Sequence, residues 1–372
     1  MLGPVLAFAA TLLLMTGLRA LAPVVGLIDR PGGRKRHEGE VPVIGGLAIF
    51  GGSLMGSMLL PEAVQMPVSF VMCAALLVAV GAADDRFDVS AWVRLGAQLT
   101  TALIMVGTEG LVIQELGAGN GANTFNLGPF AASFTVLAVV AAINAYNMID
   151  GLDGLSGGLG LVAILSLLMV AHGGPLAGAA PILAMIAATI GAFLPFNVPV
   201  GINRQMRCFM GDAGSTLIGF TVAWFGIQLS QGNQPQVQPI TILWFTAVPL
   251  LELAVSFCRR LAAGRSPLAA DADHFHHKLM RAGLSVPGTC VTLVGLAAIF
   301  AATGLFLEHV EAPSLTSLAL LIMMSAGVIR ALLKAHSWAG ALPAWMTQRR
   351  PSAWTRPIPP PPVLEAHVRS PQ

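Results

Sequence analysis

The sequence predicts an all-α polytopic membrane protein with about eleven transmembrane helices, its N-terminus outside and its C-terminus in the cytoplasm. Three observations predict this. Hydrophobic residues make up 55% of the 372 and charged residues only 10%, with a mean hydropathy of +0.76, more apolar surface than a water-soluble fold has room to bury. A helical span takes ~20 mostly apolar residues. Eleven runs fit, at roughly 4–26, 43–60, 67–83, 95–113, 130–146, 157–172, 176–196, 213–230, 238–257, 288–307 and 314–334. None alternates in the manner of outer-membrane barrel strands. Finally, the charges are segregated: linkers after the odd-numbered runs carry nearly all the Lys and Arg. Those after the even-numbered runs carry Glu62, Glu115, Glu308 and Glu311 instead. The positive-inside rule turns that alternation into the stated orientation.

The first run has no basic segment before it and reads as a retained span, not a cleaved signal. The second is crowded with Gly45, Gly46, Gly51, Gly52 and Gly56, which lets helices approach closely. Cys73, Cys208, Cys258 and Cys290 show no pairing or metal-binding spacing and read as structural. The net charge of only +2 gives no reason to expect a nucleic-acid partner. Residues 1–335 read as one integral membrane domain, and 336–372 as a cytoplasmic, Pro-rich, disordered tail.

All nine Asp fall at or near the cytoplasmic ends of the runs. Carboxylates beside hydrocarbon are costly unless paired, metal-bound or facing a watery cavity. The central stretch is Asn144–Gly158, with Asn144, Asn147, Asp150 and Asp153 between two apolar runs. It reads either as a hydrated connecting loop or as a polar site at the membrane face. The first linker, with Lys35 and His37 in a basic cluster, is an anchor or an anion site. Asp84 and Asp85 at the foot of the third run repel each other unless a cation is near, and Arg86 and Arg94 follow. Asp212 precedes the eighth run, after Arg204 and Arg207, where helix N–H groups suit a phosphate. The longest linker holds His274, His276, His277, Lys278 and Arg281. It predicts a short amphipathic interfacial helix from about Asp271, suited to phosphate contact more than to zinc.

Together the stretches DRPGGRKRHEGEVPVIGG (29–46), DDRFDVSAWVRL (84–95), NAYNMIDGLDGLSGG (144–158), FMGDAGS (209–215) and SPLAADADHFHHKLMRAGLS (266–285) resemble the polyprenyl-phosphate N-acetylhexosamine-1-phosphate transferase family. The likeness is to its N-acetylglucosamine branch, which starts O-antigen, common-antigen and teichoic-acid synthesis. The resemblance implies a Mg²⁺-dependent enzyme (Mn²⁺ as substitute) of the bacterial inner membrane, with its active site on the cytoplasmic face. It would transfer GlcNAc-1-phosphate from a UDP-N-acetylhexosamine to undecaprenyl phosphate, releasing UMP.

It also implies roles. Asp84, Asp85 and Asp212 would be catalytic, with Asp212 and Asn147 at the metal. Lys35, His37, Asn144, Asn147, Asp150, Asp153, Arg207, His274, His276, His277 and Arg281 would bind substrate. The resemblance leaves open whether the chain is a homodimer and which amino sugar it uses. Glu252, where relatives often have Asp, gets no role. A secondary transporter for an anionic solute or lipid is the alternative, opposed by the concentration of every motif on one face.

Overall fold

A computed structural model of the chain describes residues 2–30, 39–61, 64–117, 125–172, 174, 178–198, 206–264, 266, 273–338, 340, 342–343 and 345–347. Lys35, His37, Arg204, Asp271 and the Pro-rich stretch 351–372 lie outside them. The architecture is all-α, with two short β-hairpins. Its helices are α1 (Leu2–Val25), α2 (Gly45–Ser57), α3 (Val68–Phe87), α4 (Ala91–Glu109), α5 (Ala131–Ile149), α6 (Leu155–Ala171) and α7 (Ala179–Asn197). Then come α8 (Gly211–Ser230), α9 (Pro239–Phe245), α10 (Ala247–Ala262), α11 (Phe275–Arg281), α12 (Val286–His309), α13 (Ser314–Leu333) and the single turn α14 (Ala335–Trp338).

Each predicted apolar run coincides with a helix, the ninth with two, but among the described residues six helices are long and apolar enough to cross a membrane: α1, α3, α5, α7, α12 and α13. A seventh span is reached if α9 and α10, bent by 83° at Thr246, count as one. The chain is thus a multi-pass α-helical membrane protein. Four predicted spans miss these criteria for physical reasons. The 13 residues of α2 extend ~20 Å, short of a ~30 Å hydrocarbon core, and α6 has 17. α4 carries Arg94 and Glu109. α8 carries Asp212 and several hydroxyl residues, yet is buried without a break from Ala213 to Ile227. It is enclosed by protein, against α2, α3, α5 and α6, so its side chains need not suit lipid.

Two glycine contacts position the entry to α8. A Cβ on Gly81 of α3 would lie 2.4 Å from the Ala213 nitrogen, and one on Gly46 of α2 would lie 2.2 Å from the Gly214 nitrogen. Only at such small residues do backbones come this close. Hairpin strands β1 (Ile28–Asp29) and β2 (Val41–Pro42) extend the clamp. Phe209 N–H donates to Pro42 O at 2.8 Å, Gly45 N–H to Phe209 O at 2.9 Å, and Gly46 N–H to Met210 O at 2.9 Å. The segment leading to Asp212 is thus stitched to the start of α2. At the other end of α8, Phe70, Phe220, Trp224 and Phe225 form an aromatic cluster, with Phe70 and Trp224 edge-on at 5.2 Å. The second hairpin, β3 (Glu115–Leu116) with β4 (Phe125–Asn126), lies between α4 and α5.

Candidate active site

The C-terminal ends of α3 and α5 meet the N-terminal ends of α4 and α8, and the acidic residues gather there. Asp212 sits in the first turn of α8, one residue after Gly211, whose φ of +73° turns the chain into the helix. Its backbone N–H donates to Asp85 Oδ1 at 3.1 Å. A carboxylate from α3 therefore satisfies an otherwise orphan N–H at the positive end of α8. The neighbouring Asp84 points elsewhere. Its Oδ2 accepts from Arg94 Nη1 at 2.7 Å, and the same nitrogen lies 3.2 Å from Asp212 Oδ2. The buried Asp84 Oδ1 has no hydrogen-bond partner. The paired aspartates thus divide their work, one bracing α8 and the other sharing a cation with Asp212.

From α5, Asn147 Nδ2 donates to Ser215 Oγ at 3.2 Å, joining the end of α5 to the first turn of α8. Asn144 is committed within the bundle. Its Nδ2 donates to Gln98 Oε1 of α4 at 2.6 Å and to Val140 O at 2.8 Å. Asp150 follows α5 directly. Desolvation, reinforced by the charges of Asp212, Asp85 and Asp153, pushes its carboxyl well above the usual carboxylate range. Asp153 pairs with Arg207, whose guanidinium also lies over the Phe209 ring at 4.9 Å. Asn197 anchors the loop, its Oδ1 accepting from Gly154 N–H at 2.6 Å and its Nδ2 donating to Cys208 O at 3.0 Å.

The imidazoles reach this loop through Gly151, where a Cβ would lie 2.8 Å from both Cε1 and Nε2 of His276. His276 is 1% exposed, and neither ring nitrogen has a hydrogen-bond partner. Its ring lies 4.1 Å from that of His277 and 5.7 Å from that of His274. Burial, then the nearby His277 and His274, hold His276 well below the usual imidazole range. Burial, with His274 and Arg281, brings His277 down to about 4. Two neutral imidazoles next to a carboxylate loop can donate or accept hydrogen bonds without adding charge.

Arg281 does not join them. It is half-exposed and pairs with Asp273, which also takes Arg259 at 3.0 Å and Lys278 at 3.4 Å. The predicted amphipathic helix starts at Phe275, with Phe275, His276, Leu279 and Met280 buried, so His276 joins the apolar face instead of facing water.

Three residues here carry no role in the sequence-based reading. Arg94 bridges two carboxylates, Ser215 holds Asn147, and Glu252, fully buried, bonds the start of α11. For Arg94 a signal existed, as a cation in the fourth position of an apolar helix just after the Asp pair. Glu252 carried a signal too, as a lone carboxylate inside the ninth apolar run, whereas Ser215 stands out only by its partner.

A family model described as Glycosyl transferase family 4 matches residues 67–230, which include Asp84, Asp85, Asn147, Asp150, Asp153 and Asp212. Undecaprenyl-phosphate alpha-N-acetylglucosaminyl 1-phosphate transferase of Yersinia pestis is 38% identical over 82% of this chain and 84% of its own length. The protein of that name from Pasteurella multocida is 38% identical over 83% of this chain and 86% of its own. The one from Escherichia coli K12 is 37% identical over 81% and 82%. These alignments cover far more of the chain than the family model does.

Proposed function

Since the chain belongs to glycosyl transferase family 4, we propose that it transfers GlcNAc-1-phosphate from UDP-GlcNAc to undecaprenyl phosphate. The products are UMP and the first lipid-linked intermediate of a cell-surface polysaccharide. The relatives' shared name supports the acceptor and the sugar. The single observation that carries the site assignment is the meeting of Asp84, Asp85, Asp212 and Arg94 where membrane-crossing and enclosed helices end. A lipid phosphate must enter there sideways while a nucleotide enters from water.

For orientation we adopt the charge alternation, with N-terminus outside, C-terminus in the cytoplasm and the site on the cytoplasmic face of a bacterial inner membrane. That takes eleven passes when the short or polar α2, α4, α6 and α8 each cross along with the six long helices and the bent α9–α10 pair. The transporter alternative has no support among the relatives.

The donor set suits magnesium, a hard cation that takes one or two carboxylates and completes its shell with water and substrate phosphate. Asp212 and the unpartnered oxygen of Asp84 are such donors, with the Asn147 carboxamide bonded to Ser215 in the same first turn of α8 as Asp212. Among the described residues no three His, Cys, Asp or Glu form a closed metal cage. When bound, the ion would neutralise diphosphate charge and stabilise the departing UMP.

In the reaction, an oxygen of the acceptor phosphate attacks the β-phosphorus of the donor. The bond from that phosphorus to the bridging oxygen breaks, and UMP leaves with the electron pair. A phosphate monoester has a second pKa of about 6, so the nucleophile needs little deprotonation at neutral pH. Asp84 then positions the acceptor, and no covalent aspartyl intermediate is required. Arg94 offsets charge gathering between the phosphates. Asp150, Asp153 and Arg207 orient the donor, and His274, His276 and His277 line its diphosphate. Lys35 and His37 remain proposed contacts for the lipid phosphate or uridine side.

A membrane assay with undecaprenyl phosphate, Mg²⁺ and a panel of UDP-N-acetylhexosamines tests the function. UMP release with UDP-GlcNAc is expected. Folded protein that releases no UMP from any of them would sink it.

A further inference from the structure

Glu252 lies in α10, outside all five sequence stretches that carry the resemblance, and its side chain is 0% exposed. A buried carboxylate costs several kcal/mol unless hydrogen bonds replace its lost water. Here all its bonds run to its own helix and to one neighbouring element. Oε1 accepts from Ser256 Oγ at 2.9 Å and lies 2.9 Å from His274 Nδ1. Oε2 accepts the backbone N–H of Phe275, the first residue of α11, at 2.7 Å.

The N-cap position of α11 is His274 itself, whose side chain makes no capping bond. The cap is supplied from α10 instead, and the capping group also grips the His274 ring. A carboxylate at Nδ1 fixes the proton on that nitrogen and makes Nε2 the acceptor of the ring. The His274 ring in turn lies 5.7 Å from that of His276, nearly parallel at 20°.

We propose that Glu252 is a positioning residue for sugar-phosphate transfer, setting the tautomer of His274 and the first turn of α11. Through them it aims the imidazoles at the Asp150–Gly151 loop. The proposal rests on the reading that these imidazoles line the donor diphosphate. Around metal-bound histidines, loss of an outer carboxylate that orients the ring costs about ten- to a hundredfold, and we take that scale for His274.

The test uses the full chain in detergent with UDP-GlcNAc and undecaprenyl phosphate. Glu252→Gln should lower kcat/KM about ten- to a hundredfold, with its melting temperature close to that of the parent. Glu252→Asp should restore most of the loss. His274→Gln should be impaired to a similar degree, and the double variant no worse than His274→Gln alone, because Glu252 acts through His274. Parent-like kinetics for Glu252→Gln, or losses that multiply in the double variant, would overturn the proposal.

A second readout needs no turnover. Nitrogen NMR of ¹⁵N-histidine-labelled protein should show His274 protonated at Nδ1 in the parent and changed in Glu252→Gln. An unchanged His274 signal rejects the positioning role. An inactive parent with the expected shift would reject the transfer reaction but leave the tautomer control standing.

Discussion

Asp85 Oδ1 accepts the backbone N–H of Asp212 at 3.1 Å, so the carboxylate of one site residue holds the backbone of another. The contact depends on Gly211. A Cβ there would lie 2.3 Å from Asp85 Oδ2, and its φ of +73° disfavours any side chain. Gly211→Ala should therefore shift Asp212 relative to Asp84 while the bundle still folds. Misplacement by about 1 Å can cost 10²-fold in rate. We expect a loss of that order in kcat, measured as UMP release in detergent. Parent-like turnover would show that the Asp85–Gly211 contact is not needed.

Arg94 gives a second prediction. Its Nη1 serves Asp84 and Asp212 together, at 2.7 and 3.2 Å. Removing the cation leaves two neighbouring carboxylates to repel each other. Arg94→Ala should lose more than about a hundredfold in kcat at saturating Mg²⁺, the scale for one preorganised charge-stabilising group. Arg94→Lys keeps the charge without the planar fork and should fall between the two. Equal activity of the Lys variant and the parent would reduce Arg94 to a point charge.

The sequence made some of this arrangement legible. All eleven apolar runs lie on helices, and the Asp84–Asp85, Asp150–Asp153 and Asp212 stretches come together as one site. Each carries a local mark, a carboxylate at the end of an apolar run. What was not legible depends on partners distant in sequence. Arg94 meets Asp212 across 118 positions, and Asn144 turns to Gln98 across 46. Nothing near Asn144 tells that its amide is consumed inside the bundle. The break at Thr246 also escapes hydropathy, which is continuous from α9 into α10 although the axes diverge by 83°. Hydropathy likewise treats α8 as one more span, although its neighbours are protein on every side from Ala213 to Ile227.

Asp212 supplies a third prediction. Asp212→Asn keeps the shape and the N–H to Asp85 but removes the charge offered to the cation and to Arg94. Turnover should be undetectable across all practical Mg²⁺ concentrations, while the melting temperature stays near the parent value. Measurable rates regained at high Mg²⁺ would mean that Asp212 tunes affinity and is not an indispensable ligand.

The fourth concerns pH. Burial and the charges of His274 and Arg281 bring His277 to about 4, against 6.5 for a free imidazole. Between those values the unfolded chain binds a proton that the folded one refuses, so stability rises with pH there. Asp273 acts in the same sense lower down. Burial works to raise its carboxyl, but the Arg281 hydrogen bond and the charges of Lys278, Arg281 and Arg259 prevail and hold it low. Its stabilisation is full above the ordinary Asp value and is lost as pH falls through the depressed one. Amide exchange at Leu279 and Met280 of α11 should accelerate as pH falls from 6.5 toward 4, after correction for intrinsic rates. His276, also held well below 6.5, titrates in the same sense. His277→Gln should therefore lessen that dependence without removing it, and an unchanged slope in the variant would locate the titration elsewhere.

The last prediction concerns the chain beyond α13. Residues 345–347 return to the junction of α11 and α12, where Met346 O accepts Ser285 N–H at 2.7 Å and Thr347 bridges Leu284. Ser285 Oγ donates to Trp345 O at 3.0 Å while accepting Gly288 N–H at 3.1 Å, so one hydroxyl caps α12 and ties down the segment. Gly288 makes room for it, because a Cβ there would lie 2.3 Å from Met346 O, a backbone atom with little freedom to move. Gly288→Val should push the segment off. The cost should be about 1–3 kcal/mol, the usual range for overpacking, seen as a lower melting temperature in detergent. Truncation after Thr347 removes none of these contacts and should leave both melting temperature and kcat unchanged. Truncation after Leu333 removes them all and should reproduce the Gly288→Val loss. If that shorter chain melts with the parent, the segment lies against α12 without stabilising it.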